Sequence, residues 1–333
     1  MIKQKKVNNR IDDGKGFSAL SYIVIIIFTL LCVLPIIHII ALSFSGAYKD
    51  IALIPKGLTF YSYSVTILEP GFYTSFMVSI LVSLIGTFLS VITMIFAAYP
   101  LSKQDLPFGK SLMMFFIISM LFSGGIVPTF LWFKELNIID TPIVLILPQI
   151  VQVYNMVLLK TFFDNMPVSV EEAAQIDGAS NCRVLFQIVV PMSFPIIITV
   201  TLFTFVGIWN NYQLALYYLP TKTEFYPMAM YILNYINGSA IFDQFGDLEK
   251  YAHKANIQAA IIVLSILPIV SVYPFFLRYF SNGMIMYECE TRAFFDSIRS
   301  GEKTKNNIDN VMETAKLLDA LYASAEQKKE LKF

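Results

Sequence analysis

Charged residues are scarce in this chain of 333 residues. Asp, Glu, Lys and Arg make up 14% of the sequence, whereas an average soluble domain carries about a quarter. The formal charges balance to zero, so bulk charge indicates no nucleic-acid partner. The only histidines are His38 and His253, which effectively excludes a histidine-based metal or catalytic cluster.

Cysteine ligands and nucleotide-binding motifs are also missing. The three cysteines, Cys32, Cys182 and Cys289, lack ligand spacing and are interpreted as packed residues or free thiols. Gly109-Lys110-Ser111 resembles the end of a P-loop, but Gln104 stands where its first glycine should be. We therefore expect this chain to bind no metal and no cofactor of its own.

Long apolar runs dominate what is present, with 56% hydrophobic residues and a mean hydropathy of +0.63. A membrane-spanning helix needs about 20 apolar residues. Six runs are long enough: Phe17–Ser45, Tyr73–Tyr99, Ser111–Phe133, Pro142–Phe162, Val184–Leu216 and Ile257–Leu277. The first exceeds the apolar core of a signal peptide, about 7–15 residues, and indicates an uncleaved span. The fifth predicts a buried or re-entrant extension near Trp209–Tyr212.

The predicted fold is an all-α integral membrane protein with six transmembrane helices. Its predicted parts are a cytoplasmic head (1–16), a membrane domain (17–282) and a cytoplasmic C-terminal extension (283–333). In that extension Val311, Ala315, Leu318 and Tyr322 fall near helical spacing. It could form a helix that binds a partner, or remain a solvated tail.

The distribution of lysine and arginine predicts the orientation. One side of the membrane would carry Lys3, Lys5, Lys6, Arg10, Lys15, Lys103, Lys110, Lys160, Arg183, Arg278, Arg292 and Arg299. The other would carry Lys49, Lys56, Lys134, Lys222, Lys250 and Lys254. Both termini, and the connector between helices four and five, are therefore predicted to be cytoplasmic.

That connector contains a polar, helix-forming segment, Glu171 to Ala179 (EEAAQIDGA), which membrane spanning does not require. Ser169 with Glu172 has the spacing of a capping box, which predicts that Ser169 caps the helix. The small side chains of Ala173 and Ala174 would let another protein approach closely, and Gly178 would let the chain turn.

The spacing of Glu172, Ala173, Ala174, Gly178, Ile188 and Pro191 closely resembles the EAA loop of permease subunits of bacterial ABC importers. Val190 replaces the usual leucine before the proline. With Tyr99-Pro100-Leu101-Ser102 and Leu121 to Gly125 upstream, residues 15 to 285 resemble carbohydrate permeases of the maltose-transporter type.

The resemblance implies a bacterial cell-membrane subunit that imports a carbohydrate, with ATP bound on a separate cytoplasmic ATPase dimer. A second permease chain, more often different than identical, and an extracellular substrate-binding protein are the other implied partners. The implied contact set for the ATPase is Glu171, Glu172, Ala173, Ala174, Asp177, Gly178 and Ala179. The segment could instead be an interfacial helix, but it lacks the basic polar face of such helices.

Polar and aromatic residues in the fourth and fifth runs are candidates for the substrate path: Gln152, Asn155, Trp209, Asn210, Asn211 and Tyr212. Amides could bind sugar hydroxyls and aromatic rings could stack on sugar faces. The same residues could equally join helices through hydrogen bonds or form an aromatic belt.

Two rival classes have less support. A secondary transporter or channel commonly needs titratable groups within its helices, and the apolar runs contain no carboxylate at membrane depth. A membrane enzyme would need a catalytic Ser/His, Cys/His or paired-carboxylate set, and none is visible.

Overall fold

The computed structural model describes residues 15–46, 51, 53–103, 105–122, 124–237 and 254–274. The predicted head and C-terminal extension lie almost entirely outside these residues. The described part contains helices and no strand. Its α-helices are α1 (Lys15–Ser43), α2 (Tyr61–Leu68), α3 (Pro70–Leu101), α4 (Gly109–Leu121), α5 (Ile126–Glu135), α6 (Val153–Asp164), α7 (Val168–Ile176), α8 (Asn181–Val184), α9 (Val190–Met192), α10 (Phe194–Trp209), α11 (Gln213–Tyr218), α12 (Met228–Asn237) and α13 (Lys254–Pro274).

Shorter turns complete the described elements. Two 3₁₀ turns, Pro142–Leu145 and Leu147–Gln149, precede α6, and a π-helical turn, Leu185–Val189, joins α8 to α9. A third 3₁₀ turn spans Thr223–Phe225.

Four described segments are long and apolar enough to cross a membrane: Leu20–Ser43, Pro70–Leu101, Pro142–Asp164 and Lys254–Pro274. Two bent pairs of helices raise the number to six if each pair is one span. The described part of the chain is therefore all-helical and has four to six candidate spans.

The third predicted span is not a single helix. The bend between α4 and α5 is 110°, and Gly125 precedes α5 with a φ of 85°. That left-handed conformation is readily available only to glycine, so the helix that was predicted to run through Ser111–Phe133 is interrupted. Pro128 lies in the first turn of α5, where its missing N–H breaks no helical bond.

The fifth predicted span is also divided. An 82° bend separates Asn181–Met192 from α10 at Ser193, beside Pro195. Proline lacks a backbone N–H, so it removes a hydrogen bond from the helical ladder. The helix ends again at Trp209, and the chain turns before α11 begins at Gln213, where the sequence predicted an extension.

Helix α3 is the element against which α6, α10 and α12 pack. Several small residues of α3 are buried, including Ser79, Ser83, Gly86 and Ser90. A Cβ atom added at Gly86 would lie 3.0 Å from Ile208 Cδ1. Small side chains allow this close approach, which compensates for the weak hydrophobic drive between helices in lipid.

Three apolar clusters lie at successive levels of α3, around Phe72, Val82 and Ala98. The cluster around Ala98 includes residues of α6 and α10 and reaches the end of α3 beside α7. This end carries the candidate site.

Asp140 joins two connectors at another part of the described chain. Its carboxylate accepts hydrogen bonds from the backbone N–H groups of Thr221 and Lys222 and from the Thr221 hydroxyl. These bonds, led by the one from the Thr221 backbone and aided by the Lys222 charge, lower the pKa of Asp140.

We predict that Gly86→Leu lowers the apparent unfolding temperature of the purified full-length chain, because its side chain must displace Ile208. Overpacking of this kind costs about 1–3 kcal/mol. Gly207→Leu is the matched control, because no heavy atom lies within 4 Å of its Cβ position. Equal unfolding temperatures for the two variants would contradict the close packing of α3 on α10.

Candidate functional site

The polar segment predicted from the sequence forms helix α7. Pro167 is its N-cap residue, with φ −60° and ψ 116°, and no side chain caps the helix. The prediction that Ser169 caps α7 is therefore wrong, because the helix already begins at Val168 and Ser169 lies within its first turn.

Helix α7 ends at the glycine expected to break it. Gly178 has a φ of 81°. Its N–H donates to Gln175 O and the Ala179 N–H donates to Ala174 O, both at 3.0 Å. This pair of bonds is a Schellman motif, which needs a residue that tolerates the left-handed conformation.

The seven residues of the predicted coupling set divide between two faces. Glu172, Ala173, Asp177 and Gly178 are exposed, whereas Glu171 is buried and Ala174 and Ala179 pack against the apolar cluster around Ala98. The exposed face also includes Ile176, whose side chain is 85% exposed. Sequence reasoning missed Ile176, although an isoleucine between Gln175 and Asp177 is an apolar residue in a polar surface segment.

Glu171 ties α7 to the end of α3. The residue is 8% exposed, and its Oε2 atom accepts hydrogen bonds from Lys103 Nζ and, at 3.2 Å, from Tyr99 Oη. Lys103 Nζ also lies 4.3 Å from the centroid of the Tyr99 ring, a cation–π contact. The sequence did not indicate this pairing, because nothing in the spacing of residues so far apart marks them as partners.

Two of the predicted path residues belong to a hydrogen-bonded amide group between α6 and α10. Asn155 Nδ2 donates to Gln152 Oε1 at 2.8 Å and to Thr204 Oγ1 at 3.1 Å. Asn155 is buried and Gln152 is half-buried. Because lipid offers no hydrogen bonds, such pairing is what amides at membrane depth require.

Asn211 and Trp209 are also held by protein contacts. Asn211 Nδ2 donates to Gln149 Oε1 at 3.0 Å, and Asn211 Oδ1 accepts from the Leu214 N–H at the start of α11. Trp209 is 3% exposed and lies between the rings of Phe76 and Phe205.

Asn210 and Tyr212 differ from the other path residues because both are exposed. Asn210 borders a cleft of about 210 Å³ between the end of α10, α12 and α13, which Met228, Ile232 and Ser265 also line. The described structure therefore separates the six predicted residues into four that have contacts within the protein and two that present polar groups outward.

Residues 95–286 match the model of the binding-protein-dependent transport system inner membrane component. The chain belongs to this family. It is a permease subunit of an ABC transporter, a multi-pass component of a cell membrane and not an enzyme.

Individual relatives agree with the family. The polygalacturonan/rhamnogalacturonan transport system permease protein YtcP of Bacillus subtilis is 36% identical over 81% of this permease and 96% of that protein. The trehalose transport system permease protein SugB of Mycobacterium tuberculosis is 31% identical, covering 69% of this permease and 86% of that protein. Family membership leaves the rival expectations, a self-contained secondary transporter and a membrane enzyme, without support.

A solved structure has the same fold. A chain of a bacterial ABC transporter involved in the import of the acidic polysaccharide alginate matches with a TM-score of 0.74 and 27% identity. The match covers 83% of this permease and the whole of that chain.

We predict that Lys103→Met destabilises the permease, because it leaves the buried Glu171 carboxylate without its cation. Losing a hydrogen bond to a charged group costs about 1.5–3 kcal/mol. Lys160→Met is the matched control: Lys160 pairs with Asp164 four residues along α6, an arrangement worth about 0.3–0.5 kcal/mol. Thermal unfolding of the purified full chain measures both effects.

A second substitution tests the cause. Adding Glu171→Gln to Lys103→Met should restore part of the lost stability, because no charge then remains buried. Equal losses for Lys103→Met and Lys160→Met, or no recovery in the double variant, would show that the pair does not hold α7.

Proposed function

We propose that this permease forms half of the pore of an ATP-driven importer for oligosaccharides. The named substrates of its relatives support the substrate class: polygalacturonan/rhamnogalacturonan for YtcP, trehalose for SugB and alginate for the structural neighbour. The other half of the pore would be a second, different permease chain, served by an extracellular substrate-binding protein.

In the proposed arrangement each bent helix pair is one span, which gives six. The lysine and arginine distribution then favours cytoplasmic termini. Helix α7 lies between the fourth and fifth spans, so parity would put it on the cytoplasmic side, where ATP is available. ATP would drive transport in this arrangement, so the permease would need no charged group within its spans to couple transport to ions.

The observation that carries the proposal is the two-faced character of α7. Its outward face combines an acidic residue, Glu172, with an exposed apolar side chain, Ile176, and small residues at Ala173 and Gly178. A protein partner can cover the apolar side chain and approach the small residues closely, while basic groups of that partner can pair with Glu172. A cytoplasmic ATPase subunit, one of a dimer that binds ATP, is the proposed partner.

The inward face of α7 would carry the motion into the membrane. ATP can shift the pore between two states only if it favours one of them. Closure of the ATPase dimer would move α7, and the Glu171 contacts with Lys103 and Tyr99 would pass that displacement to α3. Because α10 and α6 pack on α3, the displacement would reach both sides of the amide group.

For the substrate path we propose Asn210 and Tyr212 as contacts and assign a supporting role to Gln152, Asn155, Asn211 and Trp209. An exposed amide and an exposed phenol can bind sugar hydroxyls and a sugar face. The other four have partners or are buried, so they would shape the path and fix the ends of α10 and α11.

We predict that Glu172→Lys and Gly178→Arg each abolish co-purification of the ATPase with the permease from native membranes. The first reverses the charge on the exposed face, and the second places a long side chain at a left-handed position. Glu135→Lys is the matched control for the charge change, because Glu135 is an exposed glutamate at the end of a different helix, α5.

The co-purification experiment is interpreted by comparing the ATPase recovered with wild type, with the two α7 variants and with the control. Loss of the ATPase from both α7 variants, with the second permease retained, would support docking at this face. If the ATPase remains bound to both, the docking face is wrong. If the wild-type permease brings down no ATPase, the proposed function itself is wrong.

We predict that Asn210→Ala and Tyr212→Ala reduce ATP-dependent oligosaccharide uptake up to about tenfold, the effect of losing roughly 1–1.5 kcal/mol of binding. Proteoliposomes containing the whole transporter would be supplied separately with an oligogalacturonide and with trehalose. Tyr73→Ala, an exposed tyrosine at the start of α3, is the matched control. Unchanged uptake in both variants would remove these residues from the path, and the two sugars distinguish an acidic from a neutral substrate.

A further inference from the structure

A second cleft lies beside the coupling site and has no role in the proposed transport path. It encloses about 920 Å³ between the end of α3, the turn that follows, α4 and the end of α6. Lys103, Lys110 and Lys160 contribute to its lining, and Asp164 is the one carboxylate residue among its lining residues. The lining therefore has an excess of positive charge.

The three lysines are not equally neutralised. Lys103 pairs with Glu171, and Lys160 pairs with Asp164. Lys110 forms no ion pair within the part of the chain that the structure describes, and its side chain is exposed. One cation at the edge of the cleft is thus available to an external anion, whereas carboxylate partners offset the charges of the other two.

The rest of the cleft is apolar along one face of α4. Met113, Met114 and Ile117 follow Lys110 at intervals of three, four and seven residues, so all four lie on the same side of the helix. Helix α4 has no buried residue, and on this face Met114 is exposed while Met113 and Ile117 are half-buried. The cleft combines a cationic end with an apolar wall that continues along a candidate membrane span.

We propose that this cleft binds an anionic glycerophospholipid. Its headgroup phosphate would lie at Lys110, Lys103 and Lys160, and one acyl chain would lie along Met113, Met114 and Ile117. The pattern matches an amphiphile rather than a free anion, because inorganic phosphate would use the lysines and leave the apolar wall uncovered. Basic pockets between membrane helices are known to receive anionic headgroups.

The proposed lipid site rests on the cleft itself and not on the proposed transport function. The proposed function is used for one point only, which is that the bound lipid belongs to the cytoplasmic leaflet. A consequence follows from Lys103, which faces the cleft and also pairs with Glu171. A headgroup phosphate would share this cation with the residue that holds α7, so lipid binding would alter the stiffness of the α3–α7 connection.

The test uses the whole transporter, reconstituted in nanodiscs of phosphatidylcholine alone or of equal parts phosphatidylcholine and phosphatidylglycerol. Native mass spectrometry then counts the phosphatidylglycerol retained, and a fluorescent phosphatidylglycerol gives its apparent affinity. Lys110→Gln should weaken that affinity about fivefold, which corresponds to roughly 1 kcal/mol for one lysine near an anionic headgroup. Lys134→Gln, an exposed lysine in the last turn of α5, should leave it unchanged.

A second variant tests the apolar wall. Ile117→Asn should lower retention of the lipid without changing the lysines. Ile118→Asn is the control and should leave retention unchanged, because Ile118 is exposed and lies outside the cleft lining. Retention that is the same in wild type and Lys110→Gln would overturn the proposal. So would equal losses in Lys110→Gln and Lys134→Gln, displacement of the lipid by millimolar inorganic phosphate, or no retention by the assembled transporter, which would mean that another chain covers the cleft.

Discussion

A carboxylate removed from water fixes the position of α7. Burying a charge is costly unless a counter-charge and hydrogen bonds replace the lost water, and breaking such a pair by removing one partner leaves the charge uncompensated. Among the described residues, Glu171 meets this condition against Lys103 and Tyr99. Rotating α7 would expose Glu171 and remove Ala174 from the apolar cluster around Ala98, so the two faces of the helix are fixed together.

The same constraint, applied without charge, joins α6 to α10. Hydrocarbon offers no partner to a polar group, so Asn155, Gln152 and Thr204 satisfy one another across α6 and α10. The small residues of α3 bring α10 close, and Gly86 lies against Ile208. An ionic contact at the end of α3 and close packing along its length therefore act on one continuous helix, which links α7 to the packing of α10 on α3.

Local sequence signals predicted where helices occur better than they predicted the bends between those helices. Helices occupy most of the described part of each apolar run and the turn occurs at Gly178, because length, hydropathy and a left-handed glycine act within a few residues. The bends at Gly125 and Ser193 were not predicted, because hydropathy is similar on both sides of a bend. The Lys103–Glu171 contact joins residues that are 68 positions apart, so no local pattern indicates it. The cap was wrongly predicted at Ser169 because the capping-box spacing does not show that the helix already begins after Pro167.

Adjacent glutamates explain how so short a helix can serve as a connection. Successive residues of an α-helix are turned by about 100°, so Glu171 can face inward while Glu172 faces outward. A partner bound at Glu172 and Ile176 could move α7 without moving α3 only if the Glu171 contacts broke, which would leave a carboxylate unpaired in a buried position. Moving both helices together avoids that cost. The ion pair thus ties α7 to the end of α3, and the Schellman turn at Gly178 ends α7.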